Sequence, residues 1–439
     1  MPTPRIDTAI LYDLPPFARQ VLEFPKLNSE PNAGEVHLFV GENGTGKTRL
    51  LCLLAAACGN QAELDARVQR PTKNFVTASD ESSIWVYCGP HSHIHSIAAS
   101  DKSKLIEYLV TLGQLKVTPT GAKHKLLANE KGESSLALAF RGSVRISDAE
   151  IKPLGPVSFG APENNLRFER LQAEDALFGQ CMANLKIRAG MFIASRPSES
   201  FNRNVRIADR LEEAVSHVTG RDFYFVVEDS PQLQLRVTWG EKRMFLSQLP
   251  DGLRAIIGWL VACVAKIESF HPTEENPLDL PVVLIIDEPE SHLHPAWQRK
   301  LMPALQHLLP NAQIFVATHS PFVISSVNHG FYYVLRADEE GVVTIDPAKP
   351  CSKGDTYLDV VQDILGVQEW YDVETEEQLN QFRSARDVAK RTPTAANMEA
   401  MRTLAMQISE RSESLKDMMA RELSQYDRQL AAVTGRSDK

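Results

Sequence analysis

No stretch of this sequence approaches the roughly 20 apolar residues that a membrane-spanning helix needs. The longest candidate, residues 256–267, already carries Lys266 near its end, so membrane insertion is not expected. The opening residues, MPTPRIDTAILYDLPP, lack a basic start followed by an apolar run. No secretory leader is therefore expected, and the expected location is the cytoplasm. Cysteine is scarce: Cys52, Cys58, Cys88, Cys181, Cys263 and Cys351 lie far apart without a Cys-x-x-Cys pair. That argues against a zinc knuckle or a dense disulfide framework and for reduced core thiols. Positive charge is not in excess either. A net charge of -9 gives no global attraction for nucleic acid, and Arg67, Arg70 and Lys73 form only a short basic cluster. Internal repeats and low-complexity blocks are missing. What remains is 43% apolar and 23% charged residues over 439 positions, which suits one large or two ordinary globular domains with a substantial core.

The sharpest local signal is Gly41-Glu42-Asn43-Gly44-Thr45-Gly46-Lys47-Thr48, directly after the apolar run Val36-His37-Leu38-Phe39-Val40 and before the Ala-rich stretch 50–58. This is strand, loop and helix in the order G-x-x-x-x-G-K-[ST] requires. Glycines let backbone N–H groups of Asn43, Gly44, Thr45 and Gly46 close around phosphates, and the helix N-terminus adds positive potential. Lys47 is then placed for the β- and γ-phosphates of ATP, and Thr48 for Mg²⁺. The plain alternative is a glycine-rich turn before a helix, which the flanking strand and helix disfavour.

A second signal is Pro281-Val282-Val283-Leu284-Ile285-Ile286-Asp287-Glu288, an apolar run ending in two carboxylates. Such a run reads as a strand buried on both faces with its C-terminal end at a ligand. Asp287 suits the Mg²⁺ shell, and Glu288 can polarise a water against the γ-phosphate. A strand that merely ends in solvated acids is the bland reading, and the phosphate loop weighs against it. About 240 residues lie between the two signals, too many for a compact kinase or GTPase core, so a domain is expected between the two halves of the site.

Three further segments carry a resemblance. Ser247-Gln248-Leu249-Pro250-Asp251-Gly252-Leu253-Arg254 resembles the signature segment of ABC-class ATPases of the SMC/RecF kind. Asp287-Glu288-Pro289-Glu290-Ser291-His292-Leu293-His294-Pro295 is similar to their Walker B and D-loop, in the form common among OLD-type and anti-phage defence ATPases. Val316-Ala317-Thr318-His319-Ser320-Pro321 resembles their switch-histidine segment. With the phosphate loop, the motifs follow the family order over roughly residues 30 to 330. The resemblance implies an ATP-sandwich homodimer or higher homo-oligomer, in which Ser247, Asp251 and Gly252 of one subunit meet the γ-phosphate bound by another. It also implies that His319 contacts the γ-phosphate or the attacking water. Pro250 departs from the pattern, because relatives commonly have serine there and proline offers neither hydroxyl nor N–H. The family's Q-loop has no clear counterpart among Gln61, Gln172 and Gln180. Ser195-Arg196-Pro197 is a candidate γ-phosphate sensor.

The expected architecture is an α/β P-loop NTPase of the ABC-ATPase head type with a large inserted lobe and a helical C-terminal region. The expected boundaries are 1–60 for the first half of the core, 61–244 for the insertion, 245–350 for the second half and 351–439 for the tail. Within the second half, an amphipathic helix precedes strands at 282–286 and 313–317. Pro393 is expected to precede one final helix, with Met401, Leu404, Ile408, Leu415, Met419, Tyr426 and Leu430 on its apolar face and Ser412 interrupting it. That face suits packing on the ATPase core, self-association or docking of a second protein. His292 with His294, and His91, His93 and His95, read as D-loop and solvated-loop residues rather than metal sites.

By resemblance, the function expected is an ATPase switch or scaffold of the OLD, Septu, retron or PARIS kind, controlling a separately encoded effector such as a nuclease and triggered by a phage protein. About 120 residues follow His319, so a complete fused Toprim nuclease is not expected. The alternative is a DNA-repair or recombination ATPase that clamps DNA directly, which predicts salt-sensitive binding. A transporter subunit is disfavoured by the missing LSGGQ, and a passive clamp with negligible turnover is favoured only by Pro250.

Overall fold

The computed structural model describes residues 5–12, 14–27, 33–57, 83–87, 136–142, 148, 151–157, 175–191, 199–229, 232–351, 357–367 and 371–434. Cys58, Cys88, Gln61, Gln172, the Arg67, Arg70 and Lys73 cluster, His91, His93, His95 and Ser195-Arg196-Pro197 lie outside the described residues.

The described chain divides into two compact units, residues 1–365 and 366–439. In the first, β1 (Thr8–Tyr12) and β2 (Gln20–Glu23) precede β3 (Glu35–Gly41) and α1 (Lys47–Ala57). Then come β4 (Ser83–Tyr87), β5 (Leu136–Arg141), α2 (Asp175–Met191) and α3 (Glu199–Thr219). A meander β6 (Phe223–Glu228), β7 (Gln234–Trp239) and β8 (Lys242–Phe245) leads into α4 (Asp251–Phe270). Finally β9 (Val282–Asp287), α5 (Pro295–Leu308), β10 (Ala312–Ala317), the single turn α6 (Pro321–Ile324), β11 (Gly330–Ala337), β12 (Val343–Ile345) and β13 (Lys349–Pro350) complete it.

The main sheet runs β12-β11-β3-β10-β9-β5, with β13 also on β11. The five strands from β11 to β5 are mutually parallel, and β12 and β13 are antiparallel to β11. Alternation sends successive side chains to opposite faces. Val282, Leu284 and Ile286 join Ile314, Val316, Met182, Leu211 and Trp259 on one face. Val283 and Ile285 join Phe315, Leu50, Leu54, Leu11 and Leu22 on the other. Burial on both faces is why the β9 segment is apolar at every position before its acid.

Within the segment 61–244, expected as an inserted α/β lobe, some elements join the main sheet and its core. Strand β5 pairs with β9 in parallel register from Leu136↔Val282 to Arg141↔Asp287, and α2 and α3 contribute to the same apolar cluster as β9. Without β5, β9 would be an open edge of a fully apolar strand, which is unfavourable in water. The helix expected to be amphipathic also differs: α4 buries almost every residue from Gly252 to Ile267, because it packs on α2, α3 and β5 together. Cys351 and residues 357–365 belong to the first unit.

The second unit holds α7 (Val373–Arg391), α8 (Ala395–Ser409) and α9 (Glu413–Thr434). The single final helix expected after Pro393 is thus two helices. Ser412, which interrupts the apolar stripe, caps the second by accepting from Leu415 N at 3.2 Å, as Asp372 and Thr394 cap the other two. Met401, Ile408, Leu415, Met419 and Tyr426 fill a core of this unit's own with Leu379 and Phe382.

Candidate active site

Sheet register brings the C-terminal strand ends together. Phe39 of β3 lies opposite Ala317 of β10, Ala317 opposite Asp287 of β9, and Asp287 opposite Arg141 of β5. The phosphate loop leaves β3 just beyond this row. Gly46 takes φ +85°, and a Cβ there would meet the Phe17 ring at 3.0 Å, so both conformation and space demand glycine. Lys47 opens α1 with its ammonium donating to Gly41 O at 3.0 Å and Glu42 O at 2.8 Å. Burial pulls its pKa down to about 8, opposed by the charges of Asp287, Glu288 and Glu290. A desolvated cation held only by carbonyls is poised to gain from an anion.

Thr48 Oγ donates to Asp287 Oδ1 at 3.0 Å. This bond joins residues 239 positions apart, and Asp287 is itself buried at 6% exposure. Two hard oxygen donors side by side, at the start of a helix and the end of a strand, fit a Mg²⁺ ion. Glu288 follows with φ +51°, a left-handed conformation that costs a glutamate about 1–3 kcal/mol and that clusters at functional sites. The turn exposes its carboxylate, which accepts weakly from Ser291 Oγ at 3.3 Å.

His319 follows β10, half-buried. Burial and the charge of Lys47 lower its pKa, with Glu288 opposing, which favours the neutral imidazole. Its backbone N–H donates to Glu290 Oε1 at 3.1 Å, and the Thr318 hydroxyl donates to the same oxygen at 2.5 Å.

The signature residues stand apart from this group. Ser247 N donates to Asp148 Oδ1 at 3.3 Å, and Asp251 pairs with Arg254 at 3.7 Å. Gly252 is pressed on the turn after β9, where a Cβ would meet His292 O at 2.6 Å. The partners of Ser247 and Gly252 are Asp148 and the turn after β9 rather than the phosphate loop. Pro250 caps α4, its carbonyl accepting from Arg254 N at 3.0 Å. The cap position needs no N–H from it. His294 caps α5 through Nδ1, which accepts from Ala296 N at 3.2 Å. Gln180 is committed elsewhere, its amide bonded to both N and O of Lys152 at 2.9 and 2.7 Å.

Sequence reasoning missed Arg141 and Gly142. Arg141 Nε lies 3.9 Å from Asp287 Oδ2 and is buried without a hydrogen-bond partner. Gly142 N donates to Asp287 O at 2.9 Å, and a Cβ on Gly142 would fall 1.9 Å from Glu288 O. The available signal was Leu136-Ala137-Leu138-Ala139-Phe140-Arg141-Gly142, an apolar strand ending in a charge and a glycine like the one before Asp287.

Residues 197–325 match the family model described as "AAA domain, putative AbiEii toxin, Type IV TA system". The AAA-domain match covers α3 to α6, and with them Asp287, Glu288 and His319, while the phosphate loop lies before it. The chain is 30% identical over 101 residues to "Retron Vc95 probable ATPase" of Vibrio cholerae serotype O1 biovar El Tor, a stretch covering 23% of this chain and 20% of the relative. It is 26% identical over 170 residues to "Septu protein PtuA" of Bacillus thuringiensis, covering 38% of this chain and 42% of that one. The chain thus spans less than half the length of these relatives. Among solved structures, the SMC head domain from Thermotoga maritima matches with TM-score 0.39 and 12% identity, over 79% of this chain and 99% of that one.

Proposed function

We propose that the chain binds and hydrolyses ATP at the ends of β3, β9 and β10, working as a dimer or higher homo-oligomer. The observation that carries this reading is the Thr48 to Asp287 hydrogen bond of 3.0 Å, which unites phosphate loop and acidic strand end. The N–H groups of Asn43, Gly44, Thr45 and Gly46, with Lys47, hold the phosphates. Thr48 and Asp287 would hold Mg²⁺, which would supply positive charge to the phosphates. Glu288, exposed beyond Asp287, orients the attacking water and takes its proton. His319, as a neutral imidazole, bonds the γ-phosphate or that water. Ser247, Asp251 and Gly252 serve a nucleotide bound by a second protomer. That role is supported by the exposure of Asp251, 64%, at the head of α4, where a helix N-terminus favours an anion.

The resemblance to defence ATPases, together with the similarity to the retron and Septu proteins, supports a role as an anti-phage switch or scaffold. In that role ATP state governs a separate effector such as a nuclease, and a phage protein is the trigger. The biochemical test is phosphate release and sedimentation with and without ATP, for the wild type and Glu288→Gln. Turnover is expected to fall at least about 100-fold in the variant, which should accumulate an ATP-bound dimer. A wild type that releases no phosphate and stays monomeric with ATP rejects the proposal. For the cellular role, co-expression with a separately encoded nuclease effector should lower phage plating, and Lys47→Ala should restore it.

A further inference from the structure

One ionisable group in the site is used by neither nucleotide binding nor the attack of water. Glu290 lies in the turn between β9 and α5. Its Oε1 collects two donors from the segment after β10, the Thr318 hydroxyl at 2.5 Å and the His319 N–H at 3.1 Å. Its Oε2 is buried and has no hydrogen-bond partner, an unfavourable state for a carboxylate. Burial pushes the Glu290 carboxyl up, and the donors from Thr318 and His319 oppose that rise.

The bonding continues beyond Glu290. Thr318 Oγ accepts from Ser320 N at 3.0 Å, Ser320 Oγ donates to Gln298 Oε1 at 2.5 Å, and Gln298 Nε2 donates to Leu293 O at 2.9 Å. Residues 318–320 are thereby tied to the turn that carries Glu288. The His319 imidazole has no hydrogen-bond partner of its own among the described residues. Its place is set through its backbone, and the acceptor holding its backbone N–H is Glu290.

The geometry points to Glu290 as a positioning residue for hydrolysis, which fixes the His319 imidazole relative to Glu288 and Lys47 by clamping the His319 amide and the Thr318 hydroxyl onto one oxygen. This rests on the ATPase reading above. Glu290 touches no reacting atom and acts through His319. A carboxylate is the stronger acceptor for two donors, and a displacement of about 1 Å in a reacting group can cost about 100-fold in rate. Binding of the phosphates uses Lys47, Thr48 and the loop N–H groups, whereas the hydrogen bonds of Glu290 go to Thr318 and His319.

The experiment compares wild type, Glu290→Ala, Glu290→Gln, Thr318→Val, His319→Ala and the double variant Glu290→Ala/His319→Ala for kcat, KM and affinity for a fluorescent ATP analogue. Glu290→Ala is expected to lower kcat about tenfold, leaving affinity within about twofold. Glu290→Gln keeps an acceptor oxygen and should recover most of the loss, and Thr318→Val should fall between. The double variant should be no slower than His319→Ala alone, because both changes then remove one function. An unchanged kcat in Glu290→Ala beside an active wild type overturns the inference, as does an equal loss of kcat and affinity or a multiplicative double variant. Should Glu290→Ala not fold, Thr318→Val decides, and a kcat equal to wild type in it counts against the clamp. A wild type that neither binds nor hydrolyses ATP rejects the ATPase reading itself.

Discussion

The helical tail and the strand-end site are built over opposite ranges of sequence. In the tail, every partner in the core lies within residues 366–439, each helix starts on a side-chain cap, and Tyr426 closes the packing by donating to Ala389 O at 3.1 Å. In the site, Thr48 meets Asp287 across 239 residues, and two non-glycine residues of the turn, Glu288 and His292, take positive φ. No described tail residue other than glycine does so. A periodic stripe with caps produces a stable core and little chemistry. Long-range strand pairing brings charges into one place at the cost of strain, and that is where reactivity is found.

The largest expected effect lies in the tail. Phe382 is 2% exposed, and Phe382→Ala is expected to destabilise the helical unit by about 3–5 kcal/mol, read as an early helical melt by circular dichroism. Nucleotide affinity that falls in step with it would contradict the division of labour. Next in size, Lys47→Ala removes the desolvated ammonium, and affinity for an ATP analogue by equilibrium titration is expected to drop by about 1.5–3 kcal/mol, with the melting curve little changed. Unchanged affinity would mean that the carbonyl contacts are its whole role.

A smaller effect sharpens the picture of the site. Arg141→Ala removes the guanidinium beside Asp287 and is expected to slow ATP turnover about tenfold, near 1.4 kcal/mol in barrier, measured as phosphate release. Equal rates would relegate Arg141 to a surface ion pair. The smallest effect concerns pH. An acid pushed up in the folded state prefers its protonated form there, so its penalty is absent below the ordinary glutamate range and grows as pH rises through the folded value. Glu290→Gln removes that titration. The variant is expected to melt about 2 °C above wild type at pH 8 and to show a smaller difference at pH 5. A larger gain at pH 5 would reverse the assigned sign.

Part of the fold and of the site is legible in the sequence. The phosphate loop announces itself because glycines at fixed spacing before Lys47 serve one backbone geometry. β9 does so because a strand buried on both faces must be apolar until it ends. The tail stripe and its interruption at Ser412 are visible in the sequence, but that Ser412 caps a further helix is not, because a cap becomes recognisable only when the next helix has somewhere to pack. β5 was hidden because its short Leu and Ala run lies within a long stretch of mixed pattern, and nothing local says that it completes the edge of β9.

By itself the chain's residue order determined the phosphate-loop geometry, the alternation that buries both sheet faces, and the acidic pair after an apolar strand, because each depends on neighbours a few positions away. Tertiary structure alone decided that Arg141 stands across from Asp287, that Glu290 reaches the amide of His319, and that α4 is enclosed on every side. Those facts depend on which strands lie side by side. That ordering is settled by total burial and hydrogen-bond satisfaction across hundreds of residues, which no local pattern records.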